Sequence, residues 1–201
     1  MIIVNENNVP VNTHKLEVEE QKLANKYIQE NDVVLELGAR YGSVSCIINS
    51  KLNCKTNHVA VEPDDRVWGA LEKNKEANNC SFNIVKGFIS NKKLALTNLD
   101  YWHGGYGSTA IEQNDSKIPS YTMGQITEKY NLEFNVLVAD CEGFLEIFFD
   151  ENPTFYDNLR LIIFEADCPE KCNYKKIRDT LIAKGFVCIL GGFQNVYSRQ
   201  K

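Results

Sequence analysis

The feature that most constrains this chain is the stretch Val33-Val34-Leu35-Glu36-Leu37-Gly38-Ala39-Arg40-Tyr41-Gly42. An apolar, β-branched run ends in a glycine. Three residues later a second glycine precedes the helix-compatible residues 43–52. This order reads as a buried strand, a tight turn and a helix. In open α/β sheets such a unit sets a glycine turn and the unpaired N–H groups of a helix N-terminus at the carboxyl end of a strand. Glycine there lets the backbone come close to a ligand.

The alternation continues downstream. Residues 58–62 read as a second strand, closed by Pro63, which cannot extend the pairing. A helix is expected over 66–78 and a third strand over 82–86, broken by Gly87-Phe88. A β-α-β-α-β order with short turns implies a parallel sheet with right-handed crossovers. Upstream, Leu16, Glu20, Leu23, Tyr27 and Ile28 recur at helical spacing, so residues 17–30 are expected to form an amphipathic helix. Residues 1–15 read as a loose arm or a substrate-side flap.

Periodicity fails over residues 91–121, where Trp102-His103-Gly104-Gly105-Tyr106-Gly107-Ser108-Thr109 follows neither a helical nor a strand repeat. A loop of that length is usually functional or mobile; a β-hairpin on the sheet edge is the equal alternative. Regularity returns with a helix over 123–130, a strand over 136–140 and a turn at Cys141-Glu142-Gly143. A strand over 159–165 follows, then a helix over 174–184 closed by Gly185. Residues 186–190 and 193–198 flank Gly191-Gly192 as a terminal hairpin.

With 201 residues, 43% of them hydrophobic, the chain can bury a full core without disulfides or metal. One domain is expected over 1–201: an arm and helix to residue 30, a core over 31–190, and the irregular 91–121 insertion within it. A net charge of −5 and the lack of a Lys/Arg cluster argue against a nucleic-acid partner. Seven cysteines without CxxC spacing read as reduced thiols rather than a disulfide framework or a zinc ribbon. The polar first residues do not suit a signal peptide, and no apolar run reaches membrane-spanning length. A cytoplasmic protein without a membrane partner is expected.

Three acids fall at strand ends, where open sheets bind ligands. Glu36 stands two residues before Gly38. A carboxylate there would repel a pyrophosphate but would pair with the ammonium of a methionine moiety, which favours S-adenosylmethionine over a dinucleotide. Glu62 lies roughly twenty residues on, where an acid can accept from two ribose hydroxyls. Asp140 ends the strand over 136–140.

These motifs resemble the FkbM family of class I methyltransferases over residues 31–190. Val34-Leu35-Glu36-Leu37-Gly38-Ala39-x-x-Gly42 resembles the family's first motif, and Val61-Glu62-Pro63 with Leu71-x-x-Asn74 its second. Asp140-Cys141-Glu142-Gly143 resembles its Asp-x-Glu-Gly signature, and Leu161-Ile162-Ile163-Phe164-Glu165 the strand that follows. In two places the chain departs from the pattern: Val138 stands where many members carry Lys, and Leu145, beside Glu146, where many carry an acid. The resemblance implies a Rossmann-like class I methyltransferase fold, α/β, with a seven-stranded, mostly parallel sheet, an antiparallel last strand and helices on both faces. It also implies methylation of a hydroxyl on a sugar, glycan or small metabolite.

Cofactor binding is thus expected from Glu36, Gly38, Ala39, Gly42, Glu62, Pro63, Gly87, Phe88 and Asp140. Catalytic candidates are Asp140, Glu142, Glu165 and His103, because an alcohol needs help to lose its proton. A divalent metal held by the carboxylates is a lesser alternative, so no metal ligand is assigned. The oligomeric state is left open, a homodimer among the options. The rival functions are a non-catalytic cofactor-binding scaffold and N-methylation of a protein or nucleic acid.

Overall fold

The computed structural model describes residues 1–97 and 107–199. Its centre is a seven-stranded sheet built from β1 (Val34–Leu37), β2 (His58–Glu62), β3 (Asn83–Lys86), β8 (Val136–Ala139), β9 (Leu161–Glu165), β10 (Val187–Leu190) and β11 (Gln194–Ser198). The spatial order is β10-β11-β9-β8-β1-β2-β3. Neighbours from β9 to β3 pair in parallel, whereas β11 runs antiparallel to both β9 and β10. The order reverses at β1, between β2 and β8, the switch point at which ligands bind in open sheets.

The central strands are mostly apolar because both faces are covered, with Glu36 on β1 and His58 and Glu62 on β2 as the buried exceptions. Leu35, Leu37, Val59, Val61, Leu137 and Phe164 face one core with α4 (Met123–Tyr130), α5 (Leu145–Glu151), α6 (Phe155–Asn158) and α7 (Tyr174–Ala183). Val34, Val136, Val138 and Ile163 face the opposite core with α1 (Val18–Tyr27) and α2 (Ser43–Lys51). α3 (Trp68–Ala77) covers the β2 side of that second face through Leu71 and Ala70, packed with Ala60 and Phe82.

Three expectations change. First, residues 91–121 are not irregular throughout, and of the two readings the antiparallel pair is the one observed, apart from the main sheet. β5 (Leu94–Thr97) and β6 (Thr109–Glu112) pair antiparallel as a separate ribbon, and β4 (Phe88–Ile89) pairs with β7 (Ser120–Tyr121). The two-residue strands are too short to show a period. His103, Trp102 and Tyr106 lie outside the described residues.

Second, the N-terminal arm is tied down. The side chains of Asn74 and Asn78 each accept from and donate to its backbone, at Val4 and Ile2 respectively, with distances of 2.7–2.9 Å. Ile3 is buried beneath them. Third, α5 and α6 were not expected. Phe148 and Phe155 meet edge to face, and Phe149 stacks on Tyr156, so aromatic packing holds this segment.

Candidate functional site

The carboxyl ends of β1, β2 and β8 open into a cleft. A second, smaller cavity adjoins it, and Glu17, Leu37, Gly38 and Asp140 line both.

Gly38 is the seam. Its φ is +87°, and a Cβ there would lie 1.7 Å from the carbonyl oxygen of Asp140. The N–H groups of Gly38 and Ala39 donate to Val61 O, while Asp140 N donates to Leu37 O. Gly38 is therefore demanded by the turn after β8, and not by a ligand alone. Ala39 is buried in the core, and Gly42 caps α2 with a φ of +82°; neither lines a cavity. Both shape the turn from behind the residues that line the cleft.

The β2 end of the cleft is lined by Glu62, Pro63, Gly87, Phe88, Ile89 and Leu96. Glu62 Oε2 accepts from Arg40 N at 2.6 Å and Oε1 from Asp64 N at 2.8 Å. Burial nevertheless pushes its carboxyl up to about 7, against those backbone hydrogen bonds. Gly87 N donates to Glu62 O, and its φ of +139° suits glycine, since a Cβ would meet Pro119 O at 2.2 Å. Phe88 is buried, its ring 6.0 Å from that of Phe144.

Arg40, which sequence reasoning did not place in the site, and Asp64 close this corner. Arg40 Nη1 donates to Asp64 Oδ2 at 2.9 Å, and Arg66 donates to both carboxylate oxygens of Asp64. Burial raises the Asp64 carboxyl, but the Arg66 hydrogen bonds and the two guanidinium charges hold it below its usual value.

The other end is acidic. Glu17, Glu20, Glu36, Asp140 and Glu165 line the second cavity, with no Lys, Arg or His among its described lining residues. Glu36 is 2% exposed. Its Oε2 lies 3.0 Å from His58 Nε2, and its Oε1 has no hydrogen-bond partner among the described residues. His58 reaches Glu36 across the sheet, because Val34, the partner of His58, and Glu36 share one face of β1. Glu17 takes a hydrogen bond from the Ser43 hydroxyl at the start of α2. Burial of its carboxyl pushes it up to about 7.

Burial, and a hydrogen bond shared with Glu20, push Glu165 up to about 10. Gln194 donates to both acids. Asp140 is also raised well above the usual carboxylate value, by burial and then by the charges of Glu17 and Asp167.

Glu142 lies on the wall of the larger cleft, in the left-handed region at φ 50°. Its Oε1 accepts from Gly107 N at 2.8 Å, and the Cys168 thiol points to its Oε2 at 3.5 Å. Burial, then the neighbouring Asp167 carboxyl, raise Glu142 to about 7. Of the two departures noted in the sequence, only one faces away from the site. Leu145 is core, and Glu146 binds Asn173 N and Lys176 on α7 rather than the cleft. Val138 is buried and lines the second cavity.

Solved structures share this architecture. Precorrin-6y C5,15-methyltransferase from Geobacter metallireducens GS-15 superposes with a TM-score of 0.53 at 15% identity, covering 90% of this chain and 89% of that one. The fold is that of the Rossmann-like methyltransferases. Precorrin-8w decarboxylase from Methanobacterium thermoautotrophicum gives a TM-score of 0.54 at 14% identity over 98% and 97% of the two chains. An rRNA methylase from Streptococcus thermophilus gives 0.53 at 7% over 91% and 95%. No protein-family model matches the sequence, and no curated protein matches it. Among the described residues, no helix is long and apolar enough to cross a membrane.

Proposed function

We propose that this chain is an S-adenosylmethionine-dependent methyltransferase of the FkbM kind that methylates a hydroxyl of a sugar, glycan or small metabolite. The observation that carries this reading is the continuity of the site. Glu62 lines the same cleft as Gly38 and Asp140, and the acid-lined cavity adjoins it at those two residues. Glu62 would take the ribose hydroxyls, with Gly87, Phe88 and Ile89 beside the adenine. The unpaired Glu36 Oε1 suits the ammonium of the tail, and a wall of carboxylates suits a sulfonium. S-adenosylmethionine supplies an activated methyl group when bound.

Methyl transfer is an in-line displacement in which positioning does much of the work. The protein's part is to hold the acceptor oxygen against that line and to take its proton. Asp140, Glu142 and Glu165 at the ends of β8 and β9 are the proposed proton acceptors, with His103 the candidate from outside the described residues. A small or glycan acceptor and a cytoplasmic setting belong to this reading, and the net charge of −5 supports an acceptor other than a nucleic acid.

One observation favours a second reading. A cavity lined by five acids and no described cation also suits an acceptor amine. Calorimetric titration with S-adenosylmethionine, followed by turnover on matched panels of sugars and amines, separates the two. Absence of cofactor binding sinks both. Tight binding without turnover on any acceptor supports a non-catalytic scaffold.

A further inference from the structure

We propose that Glu142, Asp167 and Cys168 form a binding site for a divalent transition-metal ion at the edge of the cleft. Two carboxylates and a thiol, from the turn after β8 and the turn after β9, bring one ligand atom each to within 4.8 Å of one another. Cys168 Sγ and Glu142 Oε2 are already 3.5 Å apart. Ligand atoms around a tetrahedral ion bound at ordinary zinc distances lie about 3.5 Å apart, so small rotations close the set.

A separate observation points to a missing ligand. The Oδ2 atom of Asp167 is buried and has no hydrogen-bond partner among the described residues. Its Oδ1, by contrast, is fixed by the Tyr174 hydroxyl at 2.6 Å and by Cys168 N at 2.8 Å. Glu142 Oε1 accepts from Gly107 N, while its Oε2 faces the Cys168 thiol. One oxygen anchored by a protein donor and the other left over is how outer-shell partners orient metal ligands. The nearby Lys171 ammonium contacts Thr109 Oγ1. A mixed oxygen and sulfur donor set suits zinc, cobalt or ferrous ions better than magnesium or calcium.

The set differs from the carboxylate trio considered from sequence, sharing only Glu142. Glu142 lines the cleft beside Asp140 and Cys141, so an ion there has open positions toward an acceptor. The consequence for catalysis rests on the proposed methyl transfer. An acceptor hydroxyl polarised by the ion loses its proton to a neighbouring carboxylate, and its oxygen bonds to the methyl carbon. The carbon–sulfur bond breaks with its electron pair on sulfur, leaving a methyl ether and a neutral thioether.

Titration of the full-length chain with Co2+, followed by absorption and calorimetry, tests the site without any methyl donor. The expected result is one ion per chain with a thiolate-to-cobalt charge-transfer band. C168S should abolish the band, and E142Q and D167N should each weaken binding at least about tenfold. E76Q, on the exposed face of α3, is the control, and melting curves of the free variants verify folding. Absence of binding by the wild type, or binding and band that survive all three substitutions, overturns the site. Cobalt binding without S-adenosylmethionine binding would sink the methyl-transfer reading and leave the metal site standing. The reverse would remove only the metal site.

Discussion

The two ends of the cleft are built from the same residue types and treat them oppositely. At the β2 end, Glu62 has an N–H donor on each oxygen and Asp64 is bracketed by Arg40 and Arg66. At the β8–β9 end, Glu17, Glu20, Glu36, Asp140 and Glu165 crowd one cavity without a described cation among its lining. Burying a charge is costly unless it is paired, and uncompensated carboxylates respond by holding protons. The first end has its hydrogen bonds in place before any ligand arrives, although burial still raises the Glu62 carboxyl to about 7, and its order serves position. The second is electrostatically incomplete, and what completes it is a positive charge. A sulfonium, an ammonium or a metal ion would each do so, which is why the acidic end carries the chemistry in this reading and the paired end carries recognition.

Gly38 joins the two ends, and changing it should have the largest effect. Gly38→Ala forces a Cβ against the Asp140 carbonyl and a left-handed φ on alanine. Strain and overpacking together should cost about 4 kcal/mol. Urea denaturation measures the loss. A variant within about 1 kcal/mol of wild type would mean that the β1 and β8 turns are not pressed together as described.

Next comes the buried Glu36–His58 pair. His58→Leu strands Glu36 in the core and should cost about 3 kcal/mol, whereas Glu36→Leu/His58→Leu together should recover most of that, because a buried pair is replaceable by apolar packing. The double variant should still lose S-adenosylmethionine affinity by calorimetry. If it binds as tightly as wild type, Glu36 is architecture alone and the acidic end loses its proposed ammonium partner.

What the sequence made legible follows from where its signals are local. Predominantly apolar runs located the central strands, and acids within or at the ends of them marked the carboxyl side of the sheet. The site residues that escaped depend on register and packing. His58 meets Glu36 only through a diagonal across β1 and β2. Asp167 and Cys168 meet Glu142 only because two turns from adjacent parallel strands converge. Glu17 escaped because it was read as the start of an amphipathic helix, whereas it precedes α1 in a left-handed conformation and turns toward Ser43. α5 has no side-chain cap to announce it, and its Phe-rich sequence resembles a buried strand as much as a helix.

The paired end makes a pH prediction. The folded carboxyl of Glu62 sits near 7 against about 4.5 when unfolded. Between those values the folded state holds a proton that the unfolded state does not. Its stabilising contribution is therefore complete below the lower value and is lost as pH rises through the upper one. The sign is opposite to that of a salt-bridged carboxylate. Urea midpoints of the free protein should fall from pH 5 to pH 7, with Glu62→Gln shallower by about 1 kcal/mol per pH unit. The same substitution should weaken S-adenosylmethionine binding about tenfold through lost ribose hydrogen bonds. Parallel slopes for the two proteins would show that Glu62 is ionised in the free fold and that the two ends differ less than their geometry suggests.

The smallest effect should come from acids that lie outside the cleft. Lys176 on α7 bridges Glu146 and Asp150 at 2.7–3.1 Å, with all three side chains open to solvent to some degree. Surface pairs of this kind contribute little, because water and salt screen them and the side chains must be held in place. Lys176→Ala should cost less than about 1 kcal/mol in urea, and the difference should shrink further at high salt. Cofactor affinity should not change, since Glu146 faces α7 and lines neither cavity. A substantial loss of affinity in Lys176→Ala would place Glu146 in the role of the acid that Leu145 replaces in the signature, and the acidic end of the site would then extend onto α5.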